Sequence, residues 1–254
     1  MCGRYAAAKD PAALAEEFGV AVQPEQILEP DYNVAPTKRV YVVLDREQEG
    51  GQRREFAVAR WGLIPSWAKD PSIGSRLINA RAETVAEKPS FRGAFAKRRC
   101  LVPADGYFEW YVPTPLEAKD APVGKAGKPV KQPFFIHAAD GSSLAMAGLY
   151  EWWRDPSRED TDPLAWRLTC TILTTDASDE VGRIHDRMPM TIPREDWAVW
   201  LDPATAGPRA SELLRPQTGP GLEAYPVSVA VNSVRNNSPD LIIPLPAEDQ
   251  IPNG

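Results

Sequence analysis

Cys2 directly follows Met1. Its small side chain favours removal of that methionine, which would leave Cys2 as the terminal residue. It would then carry an α-amine with a pKa of about 7.7–8.0 and a thiol with a pKa of about 8.5 on adjacent carbons. Such a 1,2-aminothiol has a chemistry closed to any internal cysteine. The amine condenses with an aldehyde, and the thiol then closes a five-membered thiazolidine ring. Because closure is intramolecular, it gains a large effective molarity. Gly3 permits close backbone approach and Arg4 can pair with a phosphate. The plain alternative is that Cys2 belongs to a loose terminus with no role.

Three further positions offer proton transfer or polar contacts. His185 lies in Arg183-Ile184-His185-Asp186-Arg187. Imidazole is the natural proton carrier near neutral pH, and Asp186 can orient it. The flanking arginines point to an anionic ligand, although a lone histidine is as often structural. Glu109 lies among aromatics in Gly106-Tyr107-Phe108-Glu109-Trp110. Desolvation there would raise its pKa and make it a usable acid or base. Strand alternation could equally send it to the wet face. Glu151, in Gly148-Leu149-Tyr150-Glu151-Trp152, has the same surroundings, so local sequence leaves the two undecided. Asn79 offers a donor and an acceptor, or serves as a turn residue. Trp61 and Trp67 are core residues or, on a Pro-flanked loop, platforms for base stacking. His137 reads as an ordinary strand residue.

These residues need elements to hold them. Asp10-Pro11, AALAEEF and Gly19 read as a short helix with a cap, a proline in the first turn and a glycine stop. Strands are expected at 40–44, 56–61, 101–102, 107–112, 134–137, 144–150 and 167–174. The stretch 82–99 reads as two helices broken at Pro89-Ser90. Short helices are expected at 195–201 and 211–214. With no regular βαβ run, the class is α+β: one domain on a curved, largely antiparallel, barrel-like sheet with peripheral short helices. That domain is expected to span 1–230, with an exposed loop insertion at 113–133 and a tail at 231–254.

Composition narrows the function. The net charge is −6, so the chain has no general attraction for nucleic acid. From Arg76 to Arg99, however, seven basic residues face only Glu83 and Glu87, a local excess of +5. Such a segment is a solvated helix face or a focused binding surface. Three scattered cysteines without CxxC spacing argue against disulfides and structural zinc, and two histidines argue against a metal hydrolase. No cofactor is expected. The start of the chain lacks an apolar signal region and no run is long enough to span a membrane, so a cytoplasmic location is expected.

In order along the chain stand MCGRY, YNVAPT (32–37), RWGLIPSWAKD (60–70), NARAET (79–84), PADGYFEW (103–110) and IHDRMP (184–189). Together they resemble the SRAP (SOS-response-associated peptidase) family, over nearly the whole chain. The resemblance implies covalent capture of abasic sites in single-stranded DNA, with Cys2 as the crosslinking residue. It implies that Asn79 contacts the linked sugar and the Cys2 backbone. Glu109, rather than Glu151, matches the active-site carboxylate, and His185 matches the histidine that helps open the sugar ring. Arg4, Arg81 and Arg187 match phosphate-holding arginines. Pro36 and Trp67 match residues that wedge or stack against bases. The partners expected are single strands carrying abasic sites and single/double-strand junctions, met by a monomer. The family name also implies removal of Met1 by the protein itself. Cys100 and Cys170 match no catalytic position and are expected to be buried apolar residues. Two other readings stay open: a cysteine amidohydrolase of the N-terminal-nucleophile type, and a noncovalent single-strand-binding module.

Overall fold

The computed structural model describes residues 2–21, 24, 26–48, 51–114, 123, 127, 129–177, 179–205, 207–214 and 221–249. Most of the expected 113–133 loop lies outside them. The strands are β1 (Tyr5–Ala7), β2 (Asp31–Val34), β3 (Arg39–Gln48), β4 (Gly51–Trp61), β5 (Asn79–Arg81), β6 (Arg99–Ala104), β7 (Gly106–Tyr111), β8 (Gln132–Ala138), β9 (Leu144–Arg154), β10 (Trp166–Asp176), β11 (Arg187–Pro189) and β12 (Leu222–Pro226). The helices are short: α1 (Pro11–Phe18), α2 (Arg92–Lys97), α3 (Asp179–Ile184), α4 (Trp197–Leu201) and α5 (Gly207–Glu212). None is long and apolar enough to cross a membrane.

Local chemistry sets several of these elements. In α1 the Asp10 carboxylate accepts from the Ala12 and Ala13 amides, Pro11 opens the helix, and Gly19 ends it at φ 66°. Period-two alternation builds the sheets. In β3, Val42 and Leu44 enter one core cluster and Val43 another. In β6, Cys100 and Val102 face one way and Leu101 the other.

Two sheets result. A seven-stranded sheet runs β11-β10-β4-β3-β6-β9, with β5 added beside β10. Strand β9 pairs with both β6 and β10, so β10, β4, β3, β6 and β9 close into a ring. All pairings are antiparallel except those of β10 with β4 and β5. All five ring strands contribute to one core: Val42, Trp61, Val102, Met146 and Cys170 belong to it. The second sheet runs β12-β8-β7-β1-β2 and is wholly antiparallel. The α+β, barrel-like expectation therefore holds.

Two local expectations change, and one turn gains a role that the sequence left open. Strands β6 and β7 flank the turn at Asp105 but lie in different sheets, so this turn carries the chain across the molecule. The expected helix pair at 82–99 reduces to a 3₁₀ turn at Ala82–Thr84 and the helix α2, with turns around Pro89 between them. The expected tail from 231 is partly structural. Val231 and Leu241 are buried beside Ala6, Phe108 and Phe135. The Tyr225 hydroxyl donates to the Ile242 carbonyl at 2.7 Å, and the Leu245 amide to the Pro226 carbonyl at 2.9 Å.

Candidate active site

Cys2 precedes β1 and is fully buried. It joins the core that fills the strand ring, together with Tyr5, Tyr107, Trp61 and Met188. Asn79 opens β5, on the other sheet. Its Nδ2 donates to the Cys2 carbonyl at 2.7 Å, so one hydrogen bond ties the cysteine backbone across the two sheets. The Asn79 Oδ1 is buried without a hydrogen-bond partner. Burial pushes the Cys2 thiol well above its ordinary pKa, and the nearby Glu109 charge pushes the same way.

Glu109 is 4% exposed on β7. Both faces of β7 are covered, so alternation does not lead this carboxylate to water. Desolvation raises its pKa from 4.5 to about 7, with Asp186 adding to the rise. Glu151 is also buried but sits in the other sheet. Arg98 donates to it at 2.7 Å and the Trp152 amide at 3.0 Å. Glu151 is thus held by Arg98, whereas Glu109 is near enough for its charge to act on Cys2.

His185 follows α3, which packs against β7 and β12. The Arg187 amide donates to its Nδ1 at 2.9 Å. The same Nδ1 lies 2.9 Å from Asp186 Oδ1, so an unprotonated Nδ1 accepts from the amide and a protonated one donates to the carboxylate. Burial lowers the His185 pKa, with the Asp186 carboxylate opposing. The side chain keeps 31% exposure, so a substrate can reach it.

The expected contact residues divide. Trp67 is 59% exposed. It stands on the excursion between β4 and β5, whose ends meet where Gly62 (φ 123°) approaches Gly74. A Cβ on Gly62 would lie 2.6 Å from the Gly74 carbonyl oxygen. Only glycine fits there, and the close approach pins the base of the loop that presents Trp67. Pro36 is half-buried in a tight turn in which the Lys38 amide donates to Ala35. Thr37 holds φ 76° in that turn, a left-handed conformation unusual for threonine. Arg81 is exposed at the end of β5. Arg4 is half-buried; its Nη1 donates to Asn33 Oδ1 at 2.7 Å and to the Val231 carbonyl at 2.8 Å, while its guanidinium lies over Trp110.

Arg187 departs from expectation. Its side chain is 7% exposed and bonds Glu83 at 2.8 Å, Asp176 at 2.5 Å and the Thr174 carbonyl at 2.6 Å. Two carboxylates outweigh its single charge and both terminal nitrogens are engaged, so its side chain is committed to the fold. The basic segment 76–99 is likewise no single surface. Arg98 is paired with Glu151, and Arg99 is 2% exposed. Arg99 donates to the carbonyls of Phe95, Ala96, Trp200, Asp202 and Thr205. It caps α2 and fastens α4 to the barrel. The basic residues of that segment left on the surface are Arg76, Arg81, Lys88, Arg92 and Lys97, with Glu83 and Glu87 exposed beside them.

Tyr107 and Tyr5 escaped the sequence reading. Alternation places Tyr107 on the face of β7 that carries Glu109, a signal present in the motif itself. Cys100 and Cys170 are fully buried, and burial raises the Cys170 thiol to about 12. No group of three or more His, Cys, Asp or Glu able to hold a metal occurs among the described residues.

Fold and site together define a single-domain barrel protein that sets a cysteine next to the chain's start against a buried carboxylate and an asparagine, with a histidine after the helix that packs on the carboxylate's strand. The model of the family described as SOS response associated peptidase (SRAP) matches residues 1–234, and the chain belongs to that family. It is 39% identical over 244 residues to a Bacillus subtilis (strain 168) protein named abasic site processing protein YoqW, covering 95% of this chain and 99% of that one. The chicken (Gallus gallus) protein named abasic site processing protein HMCES is 34% identical over 283 residues, covering 96% and 78%. A crystal structure of a Bacteroides thetaiotaomicron protein superposes with a TM-score of 0.77 at 27% identity, covering 96% of this chain and all of that one.

Proposed function

We propose that this protein captures abasic sites in single-stranded DNA as a covalent thiazolidine on Cys2. The observation that carries the reading is the setting of Cys2. Its carbonyl is held by Asn79 at 2.7 Å, and Glu109, with a pKa near 7, is close enough for its charge to act on the thiol. The names of the relatives point to the same substrate.

Loss of Met1, by attack of the Cys2 thiol on the Met1 carbonyl or by an aminopeptidase, exposes amine and thiol together. An abasic sugar is mostly a closed hemiacetal. Glu109 and His185 move the protons that open it to the C1′ aldehyde. The Cys2 amine adds to that carbon and water leaves, giving an imine. The thiol then adds to the imine carbon, and its proton ends on nitrogen. Asn79 keeps the Cys2 backbone in place and turns its Oδ1 toward the sugar. The closed ring blocks the β-elimination that would cut the strand. With no base to read, affinity comes from phosphates and stacking: Arg4 and Arg81 hold the backbone, and Trp67 and Pro36 cover the neighbouring bases. Single strands and single/double-strand junctions, which leave bases free to stack, are preferred over intact duplex, and one monomer suffices.

The test mixes the purified protein with a single-stranded oligonucleotide bearing one abasic site, followed by a denaturing gel. A shifted band is expected that disappears in Cys2→Ala. A band that persists in Cys2→Ala, or none from protein verified to lack Met1, contradicts the proposal. Turnover of small amides without a DNA-bound product would favour the amidohydrolase reading.

A further inference from the structure

Buried polar groups in folded proteins nearly always have partners, so each exception calls for a cause. Three such exceptions gather around Cys2: Asn79 Oδ1 and the hydroxyls of Tyr5 and Tyr107. Tyr5 and Tyr107 are 0% and 1% exposed and stand directly opposite each other in the β1–β7 pairing. Neither hydroxyl helps the fold, since phenylalanine would fill the same space without an unpaired O–H. The two differ in their neighbours. Tyr107 shares its face of β7 with Glu109. Burial is the main influence on both hydroxyls; after it Cys2 and then Glu109 act on Tyr107, whereas at Tyr5 Cys170 comes first and Cys2 second.

We propose that Tyr107 is a positioning residue for the thiol step, its hydroxyl donating a hydrogen bond to the Cys2 sulfur as that atom becomes anionic. The inference rests on the covalent reading above. A fully buried thiolate has no water to solvate it, so a donor already in place lowers the barrier to its formation. Tyr107 exchanges no atoms. The thiol proton still passes to the imine nitrogen as the carbon–sulfur bond forms, and the phenol proton stays on its oxygen.

The two covalent steps can be read separately. Cyanoborohydride reduces and traps the imine, whereas the thiazolidine survives a denaturing gel without reduction. In Tyr107→Phe, formation of the unreduced crosslink should slow roughly tenfold or more, the worth of a hydrogen bond to a charged group. Reductive trapping should keep its wild-type rate, and the melting temperature should hold or rise because an unpaired buried hydroxyl is gone. Tyr5→Phe, the same deletion across the strand pair, should leave the crosslinking rate near wild type. Equal rates in Tyr107→Phe and wild type overturn the inference. So does an equal slowing in Tyr5→Phe, or a parallel fall of both steps with a lowered melting temperature, which would mark a structural role. Absence of any crosslink from the wild-type protein on the same gel overturns the covalent reading itself, and this inference with it.

Discussion

Replacing Glu109 with glutamine removes the one ionisation in the site whose energy can be read as stability. The carboxyl is 4% exposed and its pKa rises from 4.5 to about 7. At about 1.4 kcal/mol per tenfold change in proton affinity, that rise corresponds to at most about 3 kcal/mol. Below pH 4.5 both folded and unfolded chains hold the proton. Between 4.5 and 7 the unfolded chain gives it up first, so the folded state binds more protons and stability falls as pH rises. Above 7 both are ionised and the full cost of burying the charge remains. Glutamine cannot ionise and has nearly the same shape. The stability of Glu109→Gln relative to wild type should therefore climb by up to about 3 kcal/mol between pH 4.5 and pH 8. Urea denaturation of both proteins across that range measures the difference, in which titrating groups that do not interact with Glu109 cancel. Crosslinking should move the other way, slower in the variant by roughly 10²–10⁴-fold, as expected for a lost proton-transfer group. A stability difference that stays flat with pH would refute the claim that Glu109 is desolvated, and its role as a proton carrier near pH 7 would fall with it.

Arg99→Met leaves five carbonyls without their shared donor, and should lower unfolding free energy by about 3–5 kcal/mol by denaturant titration. Arg187→Met should destabilise by about 1–3 kcal/mol; unchanged stability with weakened single-strand binding would instead make it a phosphate ligand. Trp67→Ala, at a 59% exposed position, should shift stability by less than about 0.5 kcal/mol yet weaken binding to single-stranded DNA by about 1–3 kcal/mol, measured by fluorescence anisotropy.

Features decided by near neighbours were legible in the sequence. The cap, proline and glycine of α1 act within a few residues, and each did what its local chemistry dictates. Alternation marked β4 and a β-branched apolar run marked β3, because such patterns are set within a strand's own length. Cys2 stood out because its chemistry depends on its place next to the chain's start. Pairing across the molecule was not legible. Glu109 and Glu151 have nearly the same local sequence and both are buried, and only groups supplied by other parts of the chain distinguish them: Arg98 holds Glu151, while Glu109 acts on Cys2. Arg187 read as a free cation until the fold brought Glu83 and Asp176 against it. The stretch after residue 230, polar and rich in turns, read as a tail until Val231 and Leu241 found Phe108 and Phe135. Charge state, burial and partnership are set by groups far apart in sequence. Their approach depends on the closing of the strand ring, so only the tertiary structure decides them.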